Sequence, residues 1–180
     1  TGVGQGAYPA QGEYSGALSA WETFLFEWLD DSQVHCADKE TLAAPERVIL
    51  TPLEIYGGDR KMIAIRADDY KVVVVESRRP IGWSRDWPSE RAGLFVYEVD
   101  ADGVHTDHVN EDCGNDPANP KWAYYLYPDS VEDTSCIPND LDRILVKEGM
   151  TVTHSGIRIT LEFSGDDADY VRVERVADEG

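Results

Sequence analysis

The sequence predicts a mainly β protein, an antiparallel β-sandwich with one N-terminal amphipathic helix. From Arg47 onward, short segments rich in Val, Ile, Tyr and Phe are punctuated by Gly, Pro, Asp and Asn, the pattern of strands joined by turns. Ile157, Ile159, Leu161 and Phe163 alternate with Arg158, Thr160 and Glu162, which puts one face of that strand on a core and the other in water. Val72 to Val75 shows no alternation, so that strand is expected in the middle of a sheet, covered on both faces. Two sheets packed face to face satisfy all three observations.

Taken in order, residues 1 to 16 hold five glycines and a proline without a period and read as loop. Ser19 and Glu22 form a capping box, and behind it Trp21, Phe24, Leu25, Trp28 and Leu29 recur at helical spacing. This predicts a helix from Ala20 to Leu29, docked by its Trp and Phe face. Asp30 and Asp31 mark its exit, because negative charge is disfavoured at a helix C-terminus. The expected strands are Arg47–Leu53, Lys61–Arg66, Lys71–Ser77, Gly93–Val99, Lys121–Tyr127, Met150–His154, Gly156–Phe163 and Tyr170–Val176. Gly57-Gly58-Asp59, Asp68-Asp69, Asp102-Gly103, Ser155-Gly156 and the run from Ser164 to Asp167 supply turns. Val104 to Ile137 is a long polar excursion around one strand. The chain divides into a loop-and-helix portion, residues 1–35, and a sandwich, residues 36–180.

Sixteen Lys and Arg against 35 Asp and Glu leave a net charge of −19 on 180 residues. Such a surface repels phosphate backbones, which excludes nucleic acid as a partner. A hydrophobic content of 42%, with five Trp and nine Tyr, belongs to a folded chain rather than a disordered acidic one. No apolar run approaches the roughly 18 to 20 residues of a membrane-spanning helix, so no span is expected. The start at Thr1-Gly2-Val3, with no initiator Met or apolar leader, is what a mature or truncated product would show.

Three cysteines, Cys36, Cys113 and Cys136, allow one internal bridge among three pairings. Cys113 and Cys136 both lie in loop-like sequence, where a staple gains most, so that pair is the expected disulfide, with three free thiols as the alternative. The acidic surface, few lysines and loop cysteines favour a secreted, extracellular setting. Asp100, Asp102 and Asp107 around Gly103 can together present the hard oxygen ligands that calcium prefers, although the bidentate acid of an EF-hand is missing. An Asp-Gly turn accounts for Asp102 equally well. His105 and His108 would point to opposite faces of a strand and share no metal there. His35, Cys36 and His154 find no local co-ligands, so no zinc is expected. No HExxH, GxSxG, phosphate-binding glycine loop or EF-hand loop occurs, and no catalytic or cofactor-binding residue is assigned. The segment Val75 to Pro88, with Glu76, Arg78, Arg79, Trp83 and Trp87, reads either as a ligand-contacting rim or as a Glu76–Arg pair with indoles covering a core edge.

Several segments together resemble the immune-inhibitor-A-like secreted zinc metallopeptidases of bacteria, in the portion after their catalytic helix. They are Leu18-Ser-Ala-Trp-Glu-Thr-Phe-Leu-Phe-Glu-Trp-Leu-Asp30, Arg47-Val-Ile-Leu-Thr-Pro-Leu53, Val73-Val-Val-Glu-Ser-Arg78, Gly93-Leu-Phe-Val-Tyr-Glu-Val-Asp100, Glu148-Gly-Met-Thr-Val152 and Gly156-Ile-Arg-Ile-Thr-Leu161. The family usually has Leu-Gly-Trp-Leu where this chain has Phe26-Glu-Trp-Leu29, so Glu27 replaces its glycine. The family's zinc ligands and general base lie upstream of the segment at Leu18. The resemblance therefore implies a non-catalytic extracellular β-rich portion of a metallopeptidase-like protein, residues 1–35 being the end of its peptidase lobe and the upstream lobe its partner. A reading from another class is a self-assembling or carbohydrate-binding surface module whose partners are glycans or other copies of the chain. It rests on the aromatics Trp83, Trp87, Trp122, Tyr124, Tyr125 and Tyr127 and on open sheet edges.

Overall fold

The computed structural model describes residues 18–85, 89, 92–101, 123–131 and 144–177. The elements in chain order are α1 (Ala20–Leu25), β1 (Val34–Asp38), β2 (Glu46–Leu50), β3 (Met62–Arg66), β4 (Lys71–Arg78), β5 (Gly93–Asp100), β6 (Ala123–Tyr125), β7 (Ile144–Leu145), β8 (Thr151–His154), β9 (Ile157–Ser164) and β10 (Asp169–Arg175). Sheet A has six strands in the order β1-β3-β4-β5-β6, with β7 also paired to β5, and sheet B has four in the order β2-β10-β9-β8. Pairing is antiparallel except between β1 and β3, which run parallel because the chain crosses to sheet B through β2 and returns.

The fold is mainly β, two sheets packed as a sandwich with one short helix. Ile63, Ile65, Val73, Val75, Leu94 and Val96 of sheet A meet Val48, Leu50, Ile157, Ile159, Leu161, Val171 and Val173 of sheet B in one core. Alternate residues of sheet A point the other way, where Met62, Val74, Phe95, Tyr97, Val99 and Tyr125 form a second core with Ala20 of α1 and Val34. The result is three layers, α1 on sheet A on sheet B. This explains why the Val72–Val75 run lacks alternation: β4 is internal to its sheet and covered on both sides. Ser155 and Gly156, with φ of 50° and 73°, make the two-residue β8–β9 turn.

Three sequence expectations are corrected. The helix spans Ala20–Leu25, not Ala20–Leu29, because Glu27 turns left-handed at φ 60°. The amides of Trp28 and Glu27 then bond back to the carbonyls of Thr23 and Phe24, closing the end as a Schellman motif. Trp21 and Phe24 pack on the second core, while Leu25 and Trp28 stay exposed, and the helix buries Ala20 and Glu22 instead. Phe163 does not follow Leu161 inward. A bulge leaves Glu162 unpaired between Leu161↔Val171 and Phe163↔Tyr170, so Phe163 emerges on the outer face. Strands β1 and β7 form where the sequence predicts none. Neither has a strong period-two pattern, and β1 is held by a partner remote in sequence.

Candidate functional site

Outward-facing residues of β4 include Glu76 and Arg78, two charges on one face of an otherwise apolar strand. Both lie beneath α1 and are fully buried. Glu76 Oε2 accepts from the Ala20 amide at 2.6 Å and from the Tyr97 hydroxyl at 2.9 Å, while its Oε1 accepts from Arg78 Nη1 at 3.0 Å. Arg78 Nη1 also donates to the Leu18 carbonyl at 3.0 Å, and Tyr97 Oη accepts from the Trp21 amide at 3.2 Å. Side chains of the sheet thus grip the backbone of residues 18, 20 and 21 directly. A carboxylate at the first amides of a helix also suits the positive end of its dipole.

The network continues sideways. Arg78 Nε lies 2.6 Å from Glu54 Oε1, which accepts from Ser84 Oγ at 2.7 Å. Lys61 Nζ donates to the carbonyls of Pro52 and Ile55 at 2.8 and 2.6 Å; burial lowers its pKa, opposed by the charge of Glu54. Glu22 Oε2 closes the capping box on the Ser19 amide and hydroxyl, while its Oε1 is buried without a hydrogen-bond partner. Burial raises the Glu22 pKa, with the charge of Glu76 adding to it against the Ser19 hydrogen bonds and Arg78. Burial, with Glu76 beside it, holds the Tyr97 phenol well above its ordinary value.

Two further clusters tie the sheets to each other. At one end of the sandwich, Arg79 makes a bidentate pair with Asp169 at 2.8 and 3.2 Å, and Ser77 and Ser164 each donate to the same carboxylate at 2.6 Å. At the opposite end, Glu98 is fully buried on β5 and bonds His154 Nε2 of β8 at 2.6 Å, with Lys71 Nζ at 3.4 Å. Lys71 sits above its ordinary pKa: burial works against this, but attraction to Glu98, Asp100 and Asp68 outweighs it.

Asp100 is buried at the end of β5, opposite Lys71 in the strand register. Asp102, Asp107, His105, His108, Cys113 and Cys136 lie outside the described residues, and so do the expected calcium cluster and disulfide as units. Among the described residues no group of three or more His, Cys, Asp or Glu is arranged to hold a metal ion. Cys36 is a free, exposed thiol on β1, and the adjacent His35 pairs instead with Glu46 at 2.7 Å. Ser77 and Ser84 give their hydrogens to Asp169 and Glu54. Of the rim residues, Glu76 and Arg78 are an internal pair. Glu54, Tyr97 and Asp169 have no site role in the sequence analysis, and Glu22 enters it only as half of a capping box; the available signal was the Glu76 and Arg78 pair at spacing two within a buried strand.

The arrangement is chemically suited to holding backbone in place: each buried charge is aimed at a helix end, an opposite charge or a carbonyl. Scans against protein-family models, curated proteins and solved structures found nothing that matches this chain.

Proposed function

We propose that this chain is a non-catalytic, extracellular β-sandwich portion of a secreted protein of the immune-inhibitor-A-like metallopeptidase kind, with the segment from Leu18 to Asp30 as a rigid joint to an upstream peptidase-like lobe. The observation that carries the reading is Glu27. It occupies the left-handed position of a Schellman motif, where glycine is the favoured residue, and glycine is what the resembled family has there. The Arg78, Glu76 and Tyr97 grip on residues 18, 20 and 21 gives the joint its stiffness.

On this reading the isolated chain does not cleave casein or a peptide library with zinc supplied, and its thermal midpoint rises more with millimolar calcium than with micromolar zinc. Zinc-dependent, chelator-sensitive cleavage by the chain alone would overturn it. Peptide mapping without reduction checks the Cys113–Cys136 disulfide. A second reading, an extracellular module that binds a surface, glycan or other copies, draws support from the row Ile49, Tyr170 and Phe163. These residues stand in register across β2, β10 and β9 on the outer face of sheet B, 44 to 49% exposed. A glycan-binding screen tests it, and loss of retention in Tyr170→Ala is the expected signature.

A further inference from the structure

We propose that α1 is a proton-controlled latch: it stays docked on sheet A while the Glu22 carboxyl keeps a proton, and it loosens when that carboxyl ionises. The inference does not depend on the metallopeptidase resemblance, because it concerns only how the helix is held.

The helix buries Ala20 and Glu22, so its one acid points at the sheet rather than at water. Glu22 Oε2 accepts from the Ser19 amide and hydroxyl at 2.9 and 3.0 Å, and the Glu22 amide donates to Ser19 Oγ at 3.1 Å. The other carboxyl oxygen, Oε1, is buried without a partner. A carboxylate spreads its charge over both oxygens, so ionisation would leave half a charge on Oε1 with neither water nor donor. A protonated carboxyl leaves only a neutral polar atom there.

The neighbouring elements supply no cation to offset that charge. On β4, Glu76 is itself buried and already occupies the amide end of the helix, accepting from Ala20 at 2.6 Å. Arg78 divides its guanidinium between Glu76 at 3.0 Å and Glu54 at 2.6 Å. Lys61, next to β3, gives its ammonium to the carbonyls of Pro52 and Ile55. On β5, Tyr97 gives its hydroxyl hydrogen to Glu76, and the Tyr125 phenol of β6 packs in the same core. Among the described residues this buried set holds Glu22, Glu54 and Glu76 against Arg78 and Lys61, an excess of 3 − 2 = 1 acid. Glu22 is the acid with an unmatched oxygen. Burial and the charge of Glu76 both favour its neutral form, against the Ser19 hydrogen bonds and Arg78.

A six-residue helix does not stand alone in water, so α1 exists through its contacts with sheet A. Those contacts are the Glu76 and Tyr97 bonds to its first amides and the packing of Ala20, Trp21 and Phe24. An ionised Glu22 regains water when the helix lifts, whereas the strands beneath are held by their ladders. In the lifted state Glu22 titrates near its ordinary value of 4.5, and docked it holds the proton more tightly. Docking is therefore at full strength below that value and is lost as pH rises through the docked one. One proton released on opening weakens docking by up to tenfold per pH unit in between.

Amide hydrogen exchange of the 180-residue chain, followed by NMR from pH 4.5 to 7.5 and corrected for intrinsic rates, tests this. The amides of Thr23 and Phe26, bonded to the carbonyls of Ser19 and Glu22, are expected to lose protection by up to tenfold per pH unit, while those of β9 and β10 keep theirs. Glu22→Gln, neutral at every pH, is expected to hold helix protection constant. The carbon-13 shift of the Glu22 carboxyl gives a readout without any substitution and is expected to titrate above the ordinary glutamate range. A carboxyl that titrates within that range overturns the proposal. So do helix amides already unprotected at pH 4.5, or protection that follows one pH course in wild type and Glu22→Gln.

Discussion

On the outer face of sheet A, Arg78 pairs with Glu54 and Glu76 at side-chain exposures of 1 to 2%, whereas on the outer face of sheet B, Arg172 pairs with Glu162 and Glu174 at 17 to 33%. Residue types and strand geometry are alike; the difference is the cover. Over sheet A, α1 excludes water, so each charge needs its partner and the network becomes a fixed joint. Over sheet B, water solvates both members of each pair, leaving side chains able to exchange partners. One kind of ion pair therefore serves as internal structure on one face and as adjustable surface on the other.

The sharpest way to break this comparison is Arg78→Ala, which leaves Glu54 and Glu76 buried without their guanidinium. A loss of about 3 to 5 kcal/mol is expected by urea unfolding, against less than about 1 kcal/mol for Arg172→Ala. Equal losses would mean that the cover is not what sets the value of a pair. The same contrast exists between two tryptophans of one segment. Trp21 packs on the second core and Trp28 is 69% exposed, so Trp21→Ala should cost about 2 to 3 kcal/mol and Trp28→Ala about 0.5 or less. A thermal or urea series on both variants checks it.

Smaller effects refine the joint itself. Glu27→Gly places the favoured residue at φ 60° and should stabilise by about 1 kcal/mol, read as a higher denaturation midpoint with an unchanged slope. Glu22→Gln probes the buried acid. Because folding raises the Glu22 pKa, the folded state holds the proton more tightly. The contribution is fully present below the unfolded value near 4.5 and is lost as pH rises through the folded one. The stability difference should shift in favour of Glu22→Gln as pH rises from about 4.5 toward neutrality. A difference independent of pH would show that Glu22 ionises as freely as in the unfolded chain.

The sequence by itself determined the class and most of the strands. Period-two patterning, the unalternating Val72–Val75 run and the Ser155-Gly156 turn are local signals, and burial on a pleated sheet obeys them directly. The capping box at Ser19 and Glu22 was legible for the same reason. Tertiary structure decided the rest. The helix was read too long because apolar spacing counts Leu25 and Trp28 as buried, while the backbone reversal at Glu27 takes them off the packed face. Phe163 was assigned to the core because alternation assumes an unbroken ladder, and one bulge inverts every later side chain. The parallel β1–β3 pair and the gathering of Glu22, Glu54, Glu76, Arg78 and Tyr97 join residues up to 75 positions apart, 97 − 22 = 75. No local pattern encodes such meetings; they form where two faces close and desolvated charges must find partners.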